Sequence, residues 1–118
     1  DNLDILNVRA EDLAKEKREC FDVVSARAVA KLSILLELCV PFVKMNRTMV
    51  ALKGKNGHEE LLNAKKAIDT LGVELVDEEK FMIEEDATRI NLYFKKVKHT
   101  PSKYPRAYGQ IKKKPLEG

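Results

Sequence analysis

The chain has no tryptophan, two cysteines, two histidines and only five glycines, and no run of glycines forms a turn able to cradle a dinucleotide or a nucleoside sulfonium. Cys20 and Cys39 have no C-x-x-C spacing, and only His58 and His99 accompany them, so neither a zinc site nor a redox pair is indicated. Both are read as reduced structural thiols. A Ser-His-Asp set, a Cys-His pair and paired carboxylates on one face are also missing. No apolar stretch reaches the roughly 20 residues that span a bilayer, and the amino terminus lacks the layout of a signal peptide. A soluble, cytoplasmic protein without membrane or metal is expected.

What is present fits one compact domain: 118 residues with 44% hydrophobic content can bury one modest core. The first residue is Asp1, leading directly into Leu3-Asp4-Ile5-Leu6. This beginning suggests the carboxyl-terminal part of a longer enzyme. Charge divides unevenly. Residues 95–118 carry eight of the 22 basic residues and one of the 19 acidic ones, giving this end +7 and residues 1–94 a charge of −4. A body over 1–97 and a basic tail over 98–118 are therefore expected. Pro101, Pro105 and Pro115 argue against a regular helix in the tail. Its lysines, Tyr104 and Tyr108 suit RNA phosphates and bases, while a solvated terminus that only aids solubility is the competing reading.

Periodicity orders the elements. Leu3 to Val8 and Phe21 to Ala26 read as strands, each breaking into a charged loop. If parallel, both loops lie at one sheet edge, where open α/β folds bind ligands. Ala30 to Val43 reads as a largely buried helix that Pro41 kinks or ends. Thr48 to Lys53 is a third strand, closed by Gly54-Lys55-Asn56-Gly57. A second helix runs from about His58 to Leu71, with Glu59 and Glu60 in its first turn and Gly72 as its stop. His58 reads as a capping or surface residue. Val73 to Val76 or Lys80 to Ile83, followed by Thr88 to Val97, alternate as half-buried antiparallel strands do. The fold class is α/β.

Arg9-Ala10-Glu11-Asp12, Phe21 to Ala30, Glu37-Leu38-Cys39-Val40-Pro41, Ala51-Leu52-Lys53-Gly54 and Thr100-Pro101-Ser102-Lys103-Tyr104-Pro105-Arg106 together resemble the bacterial 16S ribosomal RNA guanine-N7 methyltransferase family of the RsmG/GidB type. The resemblance spans nearly the whole chain. It implies a class I, Rossmann-like S-adenosylmethionine-dependent methyltransferase. The chain then corresponds to the carboxyl-terminal half of the sheet with its closing antiparallel hairpin. The family's glycine-rich cofactor loop and following acidic residue precede the matching segment, so the chain alone is expected to be inactive.

The resemblance also implies cofactor contacts at Ala10 and Glu11, near the adenine, and at Arg27. A backbone amide beside a carboxylate suits the adenine edge, and a guanidinium fork suits a carboxylate or phosphate. Without the family, Glu11-Asp12 reads as an acidic helix start. RNA contacts are expected at Arg9, Lys53, Lys55, Lys103 and Arg106, with 16S ribosomal RNA or the small ribosomal subunit as partner; for Lys53 and Lys55 a merely solvated loop is equally open. N7 of neutral guanine carries a free lone pair, so methylation there needs alignment rather than a general base. Two other classes remain: a non-catalytic RNA-binding module and a dinucleotide-dependent oxidoreductase. The family's strand order leaves Leu3 to Val8 without a partner, from which a marginal or self-associating chain is expected.

Overall fold

The computed structural model describes residues 2–5, 17–27, 31–84 and 87–117. Among them, one five-stranded sheet is formed by β1 (Asn2–Ile5), β2 (Phe21–Arg27), β3 (Val43–Lys53), β4 (Val73–Glu84) and β5 (Ala87–Lys96), in the order β1-β2-β3-β5-β4. β1, β2 and β3 are parallel, and β5 runs antiparallel between β3 and β4. Among the described residues the sheet is accompanied by the helices α1 (Leu32–Cys39), α2 (Gly57–Asn63), α3 (Lys65–Leu71) and α4 (Tyr108–Lys113).

Strand register explains the core. Val24 and Ala26 lie opposite Met49 and Ala51, which in turn lie opposite Phe94 and Leu92, and all six are fully buried. The alternating positions Val23, Ser25, Val50, Leu52 and Tyr93 are half-buried on the other face, as a period of two requires. Leu32, Leu35, Leu36 and Cys39 of α1 join the buried face, together with Ala64, Ala67 and Leu71. α1 ends at Cys39, and Pro41 occupies the following 3-10 turn Val40–Phe42, where its missing donor costs no helical bond.

Four expectations change. The helix from His58 to Leu71 is two helices, because Ala64 leaves helical geometry (φ −98°, ψ 10°). The break aims Ala64, Ala67 and Leu71 fully into the core while Leu61 and Ile68 are only partly covered. The uncertain stretch from Val73 to Ile83 is one strand, whose register slips between Leu75 and Asp77. Val76 is thus the extra residue of a bulge that inverts the alternation, so neither half reads as continuous with the other.

Third, Leu3 has a partner. β1 pairs with β2 from Asn2↔Val23 to Ile5↔Ala26, because an open row of β2 amides and carbonyls is satisfied by the extended segment beside it. Leu6 to Val8 lie outside the described residues. Fourth, the tail is neither helix-free nor loose. It contains α4, and Tyr104, Ile111 and Leu116 are buried. Arg18 donates to the carbonyls of Thr100, Pro101 and Tyr104, and the Thr100 hydroxyl donates to the Leu71 carbonyl at 2.8 Å. The prolines interrupt the backbone, but hydrogen bonds from the body supply what a continuous helix would have supplied.

Candidate functional site

The parallel strands set the geometry. Ile5 lies opposite Ala26 and Arg27 opposite Leu52, so β1, β2 and β3 end together at one sheet edge. Gly54 follows at the end of β3, where a Cβ would meet no atom of the described residues within 4 Å. Three residues on, Gly57 is enclosed: its Cβ would stand 2.9 Å from the Cβ of Lys53 and 3.3 Å from that of Ile90. The turn therefore packs backbone against strand on one side and leaves space on the other.

Lys53 does not project into that space. Its side chain is 3% exposed, and its Nζ lies 2.9 Å from Oε1 of Glu60, which also accepts the Leu32 amide at 2.8 Å. This is a correction to its expected RNA contact: an ammonium leaving a buried strand needs a carboxylate, and Glu60 in the first turns of α2 supplies it. Through Glu60, the end of β3 is tied to the start of α1. Lys55 is exposed in the turn and keeps its access to phosphates.

Arg106 is corrected in the same way. Glu37, fully buried in α1, accepts the Arg106 Nε at 3.0 Å, its Nη2 at 2.7 Å and its backbone amide at 2.8 Å. The hydrogen bond with Glu37 raises the guanidinium pKa above its ordinary value. Arg106 thus fastens the tail to α1. Lys103 is exposed, with its Nζ 5.3 Å from the Tyr104 ring centre. Tyr104 itself is buried, which leaves Tyr108 as the accessible ring of the tail's two tyrosines.

At the opposite sheet edge, the fully buried Lys96 donates to the carbonyls of Val40 (2.9 Å) and Val43 (3.2 Å) and meets Glu19 at 2.9 Å. Burial pulls the Lys96 pKa down, and the Glu19 hydrogen bond opposes it. Burial alone would raise Glu19, but hydrogen bonds from Lys96 and His99 hold its carboxyl below the usual range. This cluster closes the amino ends of β2 and β3, away from Arg27 and Gly54. His58 is exposed and meets Glu78 at 3.2 Å. Neither cysteine forms a disulfide. Among the described residues no group of three or more His, Cys, Asp and Glu could hold a metal, and no helix is long and apolar enough to cross a membrane.

Arg9, Ala10 and Glu11 lie outside the described residues; Arg27 is placed at the end of β2. Arg27 thus stands at the same end of the sheet as Gly54. Sequence reasoning gave Glu37 no partner and read Glu60 only as a first-turn charge; their cations, Arg106 and Lys53, come from outside their own helices.

Residues 1–90 match the family described as GidB, rRNA small subunit methyltransferase G. The ribosomal RNA small subunit methyltransferases G of Geobacillus sp. (strain WCH70) and Bacillus subtilis (strain 168) are 47% and 46% identical. The first match takes in 92% of this chain and 47% of that protein, the second 100% and 51%. The chain spans about half the length of these relatives. Among solved structures, a methyltransferase from Pyrococcus furiosus superposes with a TM-score of 0.52 at 20% identity, over 66% of this chain and 42% of that one. TYW2 of M. jannaschii in complex with AdoMet gives 0.51 at 18%, over 70% and 42%. These likenesses fix the fold as that of a class I, Rossmann-like methyltransferase. The extent of the family match and the identity to its curated members establish that the chain belongs to the GidB family of rRNA small subunit methyltransferases.

Proposed function

We propose that the full-length protein transfers a methyl group from S-adenosylmethionine to N7 of a guanine in 16S ribosomal RNA, in the cytoplasm, with that RNA or the small ribosomal subunit as its partner. The family match over residues 1–90 carries this reading. S-adenosylmethionine would supply an electrophilic methyl group. The chain's part is to hold and orient. Ala10 offers a backbone amide and Glu11 a carboxylate to the adenine edge, and Arg27 offers a planar fork to a carboxylate or phosphate at the end of β2. The Lys53–Glu60–Leu32 link fixes the spacing between the ends of β3 and α1 beside that site. Because N7 carries its own lone pair, no residue need remove a proton, and rate arises from in-line alignment and stabilisation of charge developing on the base. Arg9, Lys55 and Lys103 are the RNA contacts this reading retains.

The test is transfer of labelled methyl from S-adenosylmethionine to small-subunit RNA by the full-length protein, with the product nucleoside identified. Label in 7-methylguanosine is expected. Label absent from RNA, or confined to another nucleoside, overturns the reading.

A further inference from the structure

Six described lysines of the body, Lys17, Lys55, Lys65, Lys66, Lys80 and Lys95, have no carboxylate of the described residues within 4.0 Å, and the others do. Lys31, Lys44, Lys53 and Lys96 each lie within 4.0 Å of a carboxylate, as does Arg47. No carboxylate of the described residues is within that reach of Lys98, Lys103, Lys112, Lys113 or Lys114, all of which are exposed. The tail's structural cation is Arg106, turned inward onto Glu37. Fixing this segment holds five exposed like charges between positions 98 and 114 on an ordered backbone, a costly arrangement unless an anion neutralises them.

The strip also has a direction. Thr100 is fixed to Leu71 and Glu19 near the amino edge of the sheet, and Arg106 is held midway along α1. Glu117 then reaches Ser33 (3.0 Å) and Lys31 (3.9 Å) at the start of α1. The tail thus crosses the helix layer toward the edge that carries Arg27. Along it, Tyr108 is 44% exposed, with the Lys112 ammonium 5.5 Å from its ring centre. An exposed ring and a succession of exposed ammonium groups without a carboxylate suit a strand that offers bases and phosphates in alternation.

We propose that Lys98, Lys103, Lys112, Lys113, Lys114 and Tyr108 form a strip that tracks an RNA backbone toward the carboxyl ends of β2 and β3, with Tyr108 stacking on one base. The proposal takes only the nature of the nucleic acid from the proposed function. Its test is the salt dependence of binding of a short single-stranded RNA by the full-length protein, followed by fluorescence anisotropy without S-adenosylmethionine. Methyl transfer is assayed separately, so failure of either idea is a distinct result.

Each phosphate contact contributes about 0.7 to the slope of log affinity against log salt for single strands, so Lys112→Gln/Lys113→Gln/Lys114→Gln should flatten the slope by about 2. Tyr108→Ala should weaken binding about tenfold and leave the slope in place, because stacking releases no counterion. Lys44→Gln/Arg47→Gln, which removes two cations that meet Asp22, should change neither. All the substituted side chains are exposed, and equal unfolding midpoints would establish that each variant folds. An unchanged slope in the triple variant, or an equal flattening in the Lys44/Arg47 control, overturns the strip. Unchanged affinity in Tyr108→Ala overturns the ring's part in it.

Discussion

The Arg106 guanidinium meets both oxygens of Glu37, a carboxylate with no solvent exposure in the middle of α1. Residues 69 positions apart are joined through one side chain that also donates from its own amide. An ion pair of this kind is costly to break from one side, since the remaining charge stays buried without compensation.

Arg106→Ala should therefore destabilise the fold by about 3 kcal/mol, and adding Glu37→Gln should restore a large part of that loss. Urea unfolding of the single and double variants measures it. Additive losses in the double variant would contradict the pairing.

Stability should fall in acid partly through Glu19. Its folded-state pKa is lowered from 4.5, so the unfolded chain takes up the proton first. The contribution is present above that ordinary value and disappears as pH drops through the lower folded one. Glu19→Gln should be less stable than the parent at neutral pH and should show a flatter decline below pH 4.5, followed by thermal melting across pH. Parallel curves for the two proteins would show that Glu19 contributes no pH dependence.

Gly72 ends α3 at φ 89°, and a Cβ there would lie 2.6 Å from the Lys98 carbonyl oxygen. Its own carbonyl accepts the amides of Val97 and Lys98. Gly72→Ala combines a strained backbone with a clash against main chain and should cost more than about 1 kcal/mol. An unshifted denaturant midpoint would show that the turn relaxes freely.

β2 is paired on both sides, which makes a prediction about exchange. The amides of Asp22 to Ala26 should be among the protected positions of the isolated 118-residue chain in hydrogen exchange. Protection that appears only at concentrations where light scattering detects association would mean that another copy supplies the edge.

For the site, Arg27→Ala in the full-length protein should weaken S-adenosylmethionine or RNA binding well beyond the effect of Arg9→Lys, which retains a cation. Calorimetric titration compares them. Equal affinities in the two variants would remove Arg27 from the site.

Features governed by adjacent residues were legible before the fold. Pro41 ended α1 and Gly72 ended α3 where their backbone chemistry requires, and Ile90, Leu92 and Phe94 declared the buried face of β5. Features governed by distant partners were not. Nothing near Lys53 announces that Glu60 will cover it, and nothing in the tail announces Glu37. The bulge at Val76 likewise depends on the register imposed by β5. A residue's charge is local information, but whether that charge faces an RNA or a buried carboxylate is a tertiary property.

Arg18 and Glu19 precede β2, yet their side chains are joined to His99, Thr100, Pro101 and Tyr104. These contacts close loops of 80 residues or more, so they form only after all of β2 to β5 has been made. During synthesis the sheet and α1 emerge from the ribosome before the segment that completes them. Until it arrives, Glu37 awaits its cation and Arg18 its carbonyls. The segment from Thr100 to Glu117 thus acts as a latch in time as well as in space, and a protein lacking it would remain in the state that precedes latching.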